Sequence, residues 1–265
     1  MKRKLSAAVF FAAVTILGFG ASAGAVDGTI EINQAKVTAN GGVFPYTIRL
    51  VGSYRLTGNL IVPASTNGIN VTSSGVTIDL NGFSIIGTGS SSATPIGIDT
   101  SDDIVTVENG TVTGFGTGVL LASDGTVRNV HADLNFNGIE VSNNSVVTGC
   151  TANSGAGTGI QCAATCAITG NTANGNSTAG IVCGNPGSGD ACVIAGNTVI
   201  FDGTGINCAG SGCLITGNTV HNSTLVSISA ADSTTGYGGN VLYGNPNPPT
   251  GGTSFNNNLC SGTGC

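Results

Sequence analysis

The stretch Gly159-Ile-Gln-Cys-Ala-Ala-Thr-Cys-Ala-Ile-Thr-Gly-Asn-Thr-Ala-Asn-Gly-Asn-Ser-Thr-Ala-Gly180 decides the fold. It contains three short alternating segments, Gly159–Cys162, Cys166–Thr169 and Gly170–Ala173, separated by Gly, Asn, Ser or Thr. Alternation over so few residues signals half-buried strand, and the small polar residues between signal turns. A helical repeat would need about ten to twelve residues of 3.6 period free of glycine, and none is present. Three strands and three turns in about 21 residues make one coil of a right-handed parallel β-helix.

The same unit recurs on both sides. The pattern Thr/Ala-Gly-Asn/Cys-Thr stands at 148–151, 169–172, 195–198 and 216–219, at intervals of 21, 26 and 21. A second marker, Gly followed by Ile or Val, falls at Gly68, Gly97, Gly118, Gly138, Gly159, Gly180 and Gly205. Two markers holding phase identify a solenoid. Leucine-rich repeats are excluded by the scarcity of Leu. About eight coils, stacked at about 4.8 Å, predict a rod of roughly 40 Å.

Stacking explains the composition. Of 265 residues, 44 are Gly, none is Trp and 8% are charged, against roughly 25% in soluble domains. Inward columns must be apolar or self-pairing, and outward columns of one charge repel. The inward columns are Ile69, Ile98, Val119, Ile139, Ile160, Ile181 and Ile206 on the Gly-Ile strand, with Val147, Ile168, Ile194 and Ile215 on the next. At the Gly-Asn corner, Asn171, Asn197 and Asn218 are predicted to form a hydrogen-bonded ladder beside a glycine of positive φ. Asn81, Asn109 and Asn129 mark that corner in earlier coils, where asparagine itself takes the left-handed conformation.

Met1–Ala25 reads as a secretory signal, with Lys2, Arg3 and Lys4, an apolar run from Leu5 to Phe19, and A-x-A sites ending at Ala23 and Ala25. The run, about 15 residues, is short of the roughly 20 that span a bilayer. Cleavage after Ala25 leaves Lys36, Arg49, Arg55 and Arg128 as the cations of a secreted or periplasmic chain with 13 carboxylates. So acidic a surface disfavours nucleic acid and anionic membranes as partners. Residues 26–51 are expected to cap the rod, 52–245 to form the β-helix, and 246–265 to fold over its far end. A short helix is predicted within Glu31–Val37.

Three segments carry a family resemblance: Gly52-Ser-Tyr-Arg-Leu-Thr-Gly-Asn-Leu-Ile-Val62, Val76-Thr-Ile-Asp-Leu-Asn-Gly-Phe-Ser-Ile-Ile-Gly87 and Val107-Glu-Asn-Gly-Thr-Val-Thr-Gly-Phe115. They resemble secreted bacterial right-handed β-helix repeat proteins of the pectin-lyase-like superfamily. The resemblance implies the fold. It leaves activity open, because the superfamily contains lyases, hydrolases, epimerases and non-enzymes.

Six cysteines flank one turn in three consecutive coils. Cys162, Cys183 and Cys208 each follow a marker glycine by three residues, and Cys166, Cys192 and Cys213 each precede a ladder asparagine by five. Bridges within coils, Cys162–Cys166, Cys183–Cys192 and Cys208–Cys213, are predicted, and Cys260–Cys265 is a fourth local pair. Stacked cysteines on neighbouring coils lie at a distance that also permits bonding. A zinc site lacks partners, since His221 is the one nearby imidazole and lies on another side of the coil. Cys150 is left over, as a buried inert thiol.

On the Gly-Ile strand the outward column reads Asn70, Asp99, Leu120, Glu140, Gln161, Val182, Asn207. Asp99 and Glu140, two coils apart, suit the wider separation of an inverting glycosidase pair, with Asp102 or Asp103 in the adjoining turn as a third carboxylate or a calcium ligand. Leu120 between them and the absence of Trp speak for the blander reading, polar filler of an outward face. Other candidates are an Arg128–Glu108 ion pair, a His131–Asp133 acid–base pair, and two threonine columns. One column is Thr111, Thr151, Thr172, Thr198 and Thr219; the other is Thr57, Thr148, Thr169 and Thr216. The expected function is that of a secreted, monomeric binding or structural module for neutral polysaccharide or cell-surface glycan, without catalysis or cofactor. The alternative is a polysaccharide hydrolase or lyase, the hydrolase using Asp99 and Glu140.

Overall fold

The computed structural model describes residues 28–39, 42–89, 92–185, 190–255 and 257–261. The expected signal segment and Cys265 of the expected Cys260–Cys265 pair lie outside them. The chain winds as an all-β right-handed solenoid of two parallel sheets. One sheet has nine strands, one per coil, from Tyr46–Ile48 through Thr158–Cys162 to Val226–Ala230. The other, with 19 strands, supplies the two remaining sides of each coil.

The coils number about ten rather than about eight. The difference lies at the ends, where the sequence markers are missing. Ile30–Ile32 pairs with Tyr54–Leu56, and Tyr46–Ile48 pairs with Ile69–Val71. Coiling therefore begins inside the segment expected to be a cap. The helix is confined to Gln34–Thr38, with Asn33 capping it through Oδ1 to the Lys36 N–H at 2.9 Å, while Glu31 belongs to a strand. Gln34 covers an open strand edge. Its Oε1 accepts from the Ile61 N–H at 2.8 Å and its Nε2 donates to the Ile61 carbonyl at 3.4 Å. At the far end the tail also keeps coiling. Thr253–Ser254 pairs with Gly236–Tyr237 and Leu259–Cys260 with Val241–Leu242.

The columns read from the sequence stand in register. Ile69, Ile98, Val119, Ile139, Ile160, Ile181 and Ile206 pair coil to coil and are fully buried, each side chain stabilising by about 1.5–3 kcal/mol relative to exposure. The marker glycine has a steric cause. A Cβ on Gly97 would stand 2.5 Å from the Gly118 carbonyl oxygen, and one on Gly138 2.5 Å from that of Gly159. Side chains at this corner would strike the next coil.

The second corner is a backbone-conformation problem. Gly170, Gly196 and Gly217 each have φ of +65°, and Asn81, Asn109 and Asn129 have φ of 52°, 61° and 53°. Beside it runs the asparagine ladder. Asn197 Oδ1 accepts from the Asn171 N–H and Nδ2 at 2.9 and 3.1 Å, while Asn197 Nδ2 donates to Asn218 Oδ1 and to the Ile168 carbonyl, both at 2.9 Å. Asn240 and Asn258 extend it beyond the three residues expected. Cys162 is bonded to Cys166, Cys183 to Cys192 and Cys208 to Cys213, with Cα separations of 6.4, 6.5 and 6.4 Å. All three bridges close loops within a coil.

Candidate functional site

The outward column of the nine-stranded sheet holds Asn70, Asp99, Leu120, Glu140, Gln161, Val182, Asn207 and Ser229 in direct register. Leu120 stands between the two carboxylates, so their strands are two rungs, roughly 9–10 Å, apart. Each carboxylate has its own neutral donors. Asp99 Oδ2 accepts from Asn67 Nδ2 at 3.2 Å. Glu140 Oε1 accepts from Asn137 Nδ2 at 2.7 Å and the Thr117 hydroxyl at 3.1 Å. Burial raises the Asp99 pKa from its ordinary value.

Asp102 and Asp103 do not join this column. They lie in the turn after Ile96–Thr100, where Asp103 Oδ1 accepts from the Ser123 N–H at 2.9 Å and Asp102 Oδ2 is 3.4 Å from the Ser101 hydroxyl. These contacts hold the turn together.

His131 Nδ1 lies 2.9 Å from the Thr151 hydroxyl, which in turn donates to Asp133 Oδ1 at 3.1 Å. In a hydrolytic triad the acid orients the imidazole. Here the acid accepts from the threonine hydroxyl instead, so the arrangement does not activate a nucleophile. Arg128 Nε is bonded to Glu108 across one rung, and Arg55 Nε to Asp79 Oδ2 at 3.2 Å. These four residues lead into the column continued by Thr148, Thr169, Ala195 and Thr216. Thr57 is not in it. The early coils carry more residues at the corner than the two of the Gly-Asn type, so counting back from the corner stops at Thr57, two residues short of Arg55.

The sulfurs of Cys162, Cys183 and Cys192 lie within 4.8 Å of one another, yet each is committed to a disulfide and offers no thiolate to a metal ion. Cys150 is buried and its thiol pKa is pushed up to about 11 by that burial. A hollow lined by Ser227, Leu242, Asn245, Pro246 and Cys260 lies at the C-terminal end, away from the Asp99–Glu140 column.

Sequence reasoning missed a second internal row, in which Asn135, Asn176, Asp202 and Asn245 each accept a backbone N–H from the preceding coil and Asn176 Nδ2 also donates to Asp202. Asn135 and Asp202 precede their marker glycines by three residues, Asn176 by four. That one-residue difference in turn length hides the period.

Residues 41–199 match the family model described as a right handed beta helix region. No curated protein matches the chain. Among solved structures, the Dettilon tailspike protein is similar over 83% of this chain, with a TM-score of 0.60 and 17% sequence identity. The chain spans about half of that tailspike, 53% of its length. A likeness at this identity establishes the shared architecture.

Proposed function

Because this chain belongs to the right-handed β-helix family, we propose that it is a secreted, monomeric, non-catalytic module whose outward sheet face binds a neutral polysaccharide or cell-surface glycan. One observation carries the reading. The Gly-Ile face presents amides and a hydroxyl in one column, Asn70, then Gln161 four rungs on, Asn207 two rungs beyond it and Ser229 on the next rung. Its two carboxylates are engaged by neighbouring donors and held apart by Leu120. Such a row offers neutral hydroxyl-bearing ligands donors and acceptors without charge. A tailspike built on the same fold agrees with a surface-directed role.

A second reading rests on Asp99. Its raised pKa suits a general acid, with Glu140 two rungs away as the base of an inverting hydrolysis. One experiment separates the two. The mature, oxidised protein is incubated with a panel of polysaccharides, scoring reducing ends released, unsaturated products, and retention on each insoluble glycan. Binding without turnover, unchanged in Asp99→Asn and Glu140→Gln, is the expected result. Turnover abolished by either variant would replace the binding reading with the hydrolase.

A further inference from the structure

The second internal row contains an acid where Asn135 and Asn176 carry amides. Asn135 uses both halves of its amide: Oδ1 accepts from the Phe115 N–H and Nδ2 donates to the Val112 carbonyl, both at 2.9 Å. Asn176 does the same, accepting from the Gly155 N–H at 3.1 Å and donating to the Ala152 carbonyl at 2.9 Å. The next rung is Asp202. Its Oδ1 fills the acceptor half, taking the Asn176 N–H at 2.7 Å and Nδ2 at 2.8 Å.

Asp202 Oδ2 stands where the amide nitrogen stands in Asn135 and Asn176. A Cβ built on Gly118 would lie 2.7 Å from Asn135 Nδ2, one on Gly159 2.7 Å from Asn176 Nδ2, and one on Gly180 2.7 Å from Asp202 Oδ2. Strand register identifies the carbonyl opposite that position. Ala152 pairs with Ala173, and Ala173 with Val199, so the counterpart of the Ala152 carbonyl is that of Ala173. A carbonyl cannot donate, and neither can a carboxylate. Asp202 is 0% exposed, and its Oδ2 has no hydrogen-bond partner. An unpaired acceptor is costly in such a place, and an ionised one more so.

We propose that Asp202 is a neutral carboxylic acid in the folded protein at mildly acidic pH, its Oδ2–H donating to the Ala173 carbonyl, and that the solenoid thereby carries an internal proton lock that weakens as pH rises. Asn176 and Gly180, which adjoin the side chain, are uncharged. The ionisable residue on the strand of the following coil is His221, whose ring stacks outward between the exposed Phe201 and Tyr243. Among the described residues, no cation adjoins the Asp202 side chain to stabilise the ionised form. Burial raises the Asp202 pKa from 3.8 to about 6, opposed by the Asn176 donors and the Ile200 backbone. A folded pKa above the unfolded one means that the contribution is complete below the unfolded value and is lost as pH climbs through the folded value.

The test is urea unfolding of the mature, oxidised protein and its Asp202→Asn variant between about pH 4 and pH 8. The folding constant of the wild type relative to the variant should fall about a hundredfold over that span, following the displacement from 3.8 to about 6. Parallel pH profiles for the two proteins would overturn the proposal. Should Asp202→Asn fail to fold, carboxyl carbon NMR of the wild type decides. An Asp202 resonance titrating above about pH 5 upholds the lock, and one titrating near pH 4 overturns it.

Discussion

Replacing Asn197 by alanine should be among the most damaging single changes available in the solenoid. Asn197 is 1% exposed, so no water replaces what its side chain does. The Asn171 N–H, now 2.9 Å from Asn197 Oδ1, would lose its acceptor, and the Ile168 carbonyl would lose the Nδ2 donor at 2.9 Å. Neighbouring rungs keep partial satisfaction. Asn171 Nδ2 still reaches the Val147 carbonyl, and Asn218 Oδ1 still accepts from the Asn197 N–H. Two orphaned buried backbone groups at about 1–3 kcal/mol each give about 2–6 kcal/mol of destabilisation. The exposed Thr219→Ala serves as control, expected within about 0.5 kcal/mol of wild type. The assay is urea unfolding at neutral pH with disulfides intact. Amide hydrogen exchange at Asn171 accompanies it, because a repeat protein can open one coil at a time. If Asn197→Ala fell within about 1 kcal/mol of Thr219→Ala, with Asn171 protection unchanged, the ladder would not be what holds the corner.

Two further outcomes follow from packing. Gly138→Ala should destabilise by about 1–3 kcal/mol or more, because the new methyl would stand 2.5 Å from the Gly159 carbonyl oxygen and 2.8 Å from Ala152 Cβ; a midpoint equal to wild type in the same urea titration would refute the steric reading. Cys150, whose thiol pKa burial lifts to about 11, should resist iodoacetamide at pH 8 in the native protein and be alkylated once urea unfolds the chain. Peptide mapping reports the modification directly, and native-state alkylation would contradict the burial.

Much of the fold was legible because a solenoid turns three-dimensional neighbours into sequence intervals. Ile160 and Ile181 sit 21 residues apart in the chain and pair across one rung. Reading failed where turns change length. Arg55, not Thr57, occupies the outward column, because the early corners hold extra residues. Asn176 and Asp202 escaped notice because their turns differ by one residue, although their side chains meet at 2.8 Å. The ends were misjudged for another reason. Ile30–Ile32 and Leu259–Cys260 coil without marker residues, since a terminal strand has a neighbour on one side only and is freed from half of the stacking constraint.

The candidate face divides in the same way. That Asp99, Leu120 and Glu140 share a column follows from period alone, as does the two-rung separation of the carboxylates. Which donors hold each carboxylate does not, because Asn67 and Thr117 reach across coils to side chains 32 and 23 residues away.

By itself the sequence determined the handed coil, its inward columns, and the left-handed corners at Asn109 and Asn129. These depend on local φ preference and on a repeated apolar pattern, both properties of residue type and spacing. Only the tertiary structure decided why glycine precedes isoleucine at 97 and 138, and what Asp202 must be. At Gly97 and Gly138 the obstacle to a side chain is the next coil's carbonyl. Asp202 meets a buried amide slot that an ionised carboxylate cannot complete. Both constraints come from backbone atoms one coil away, and a neighbour's backbone acquires a position only when the chain has closed its turn.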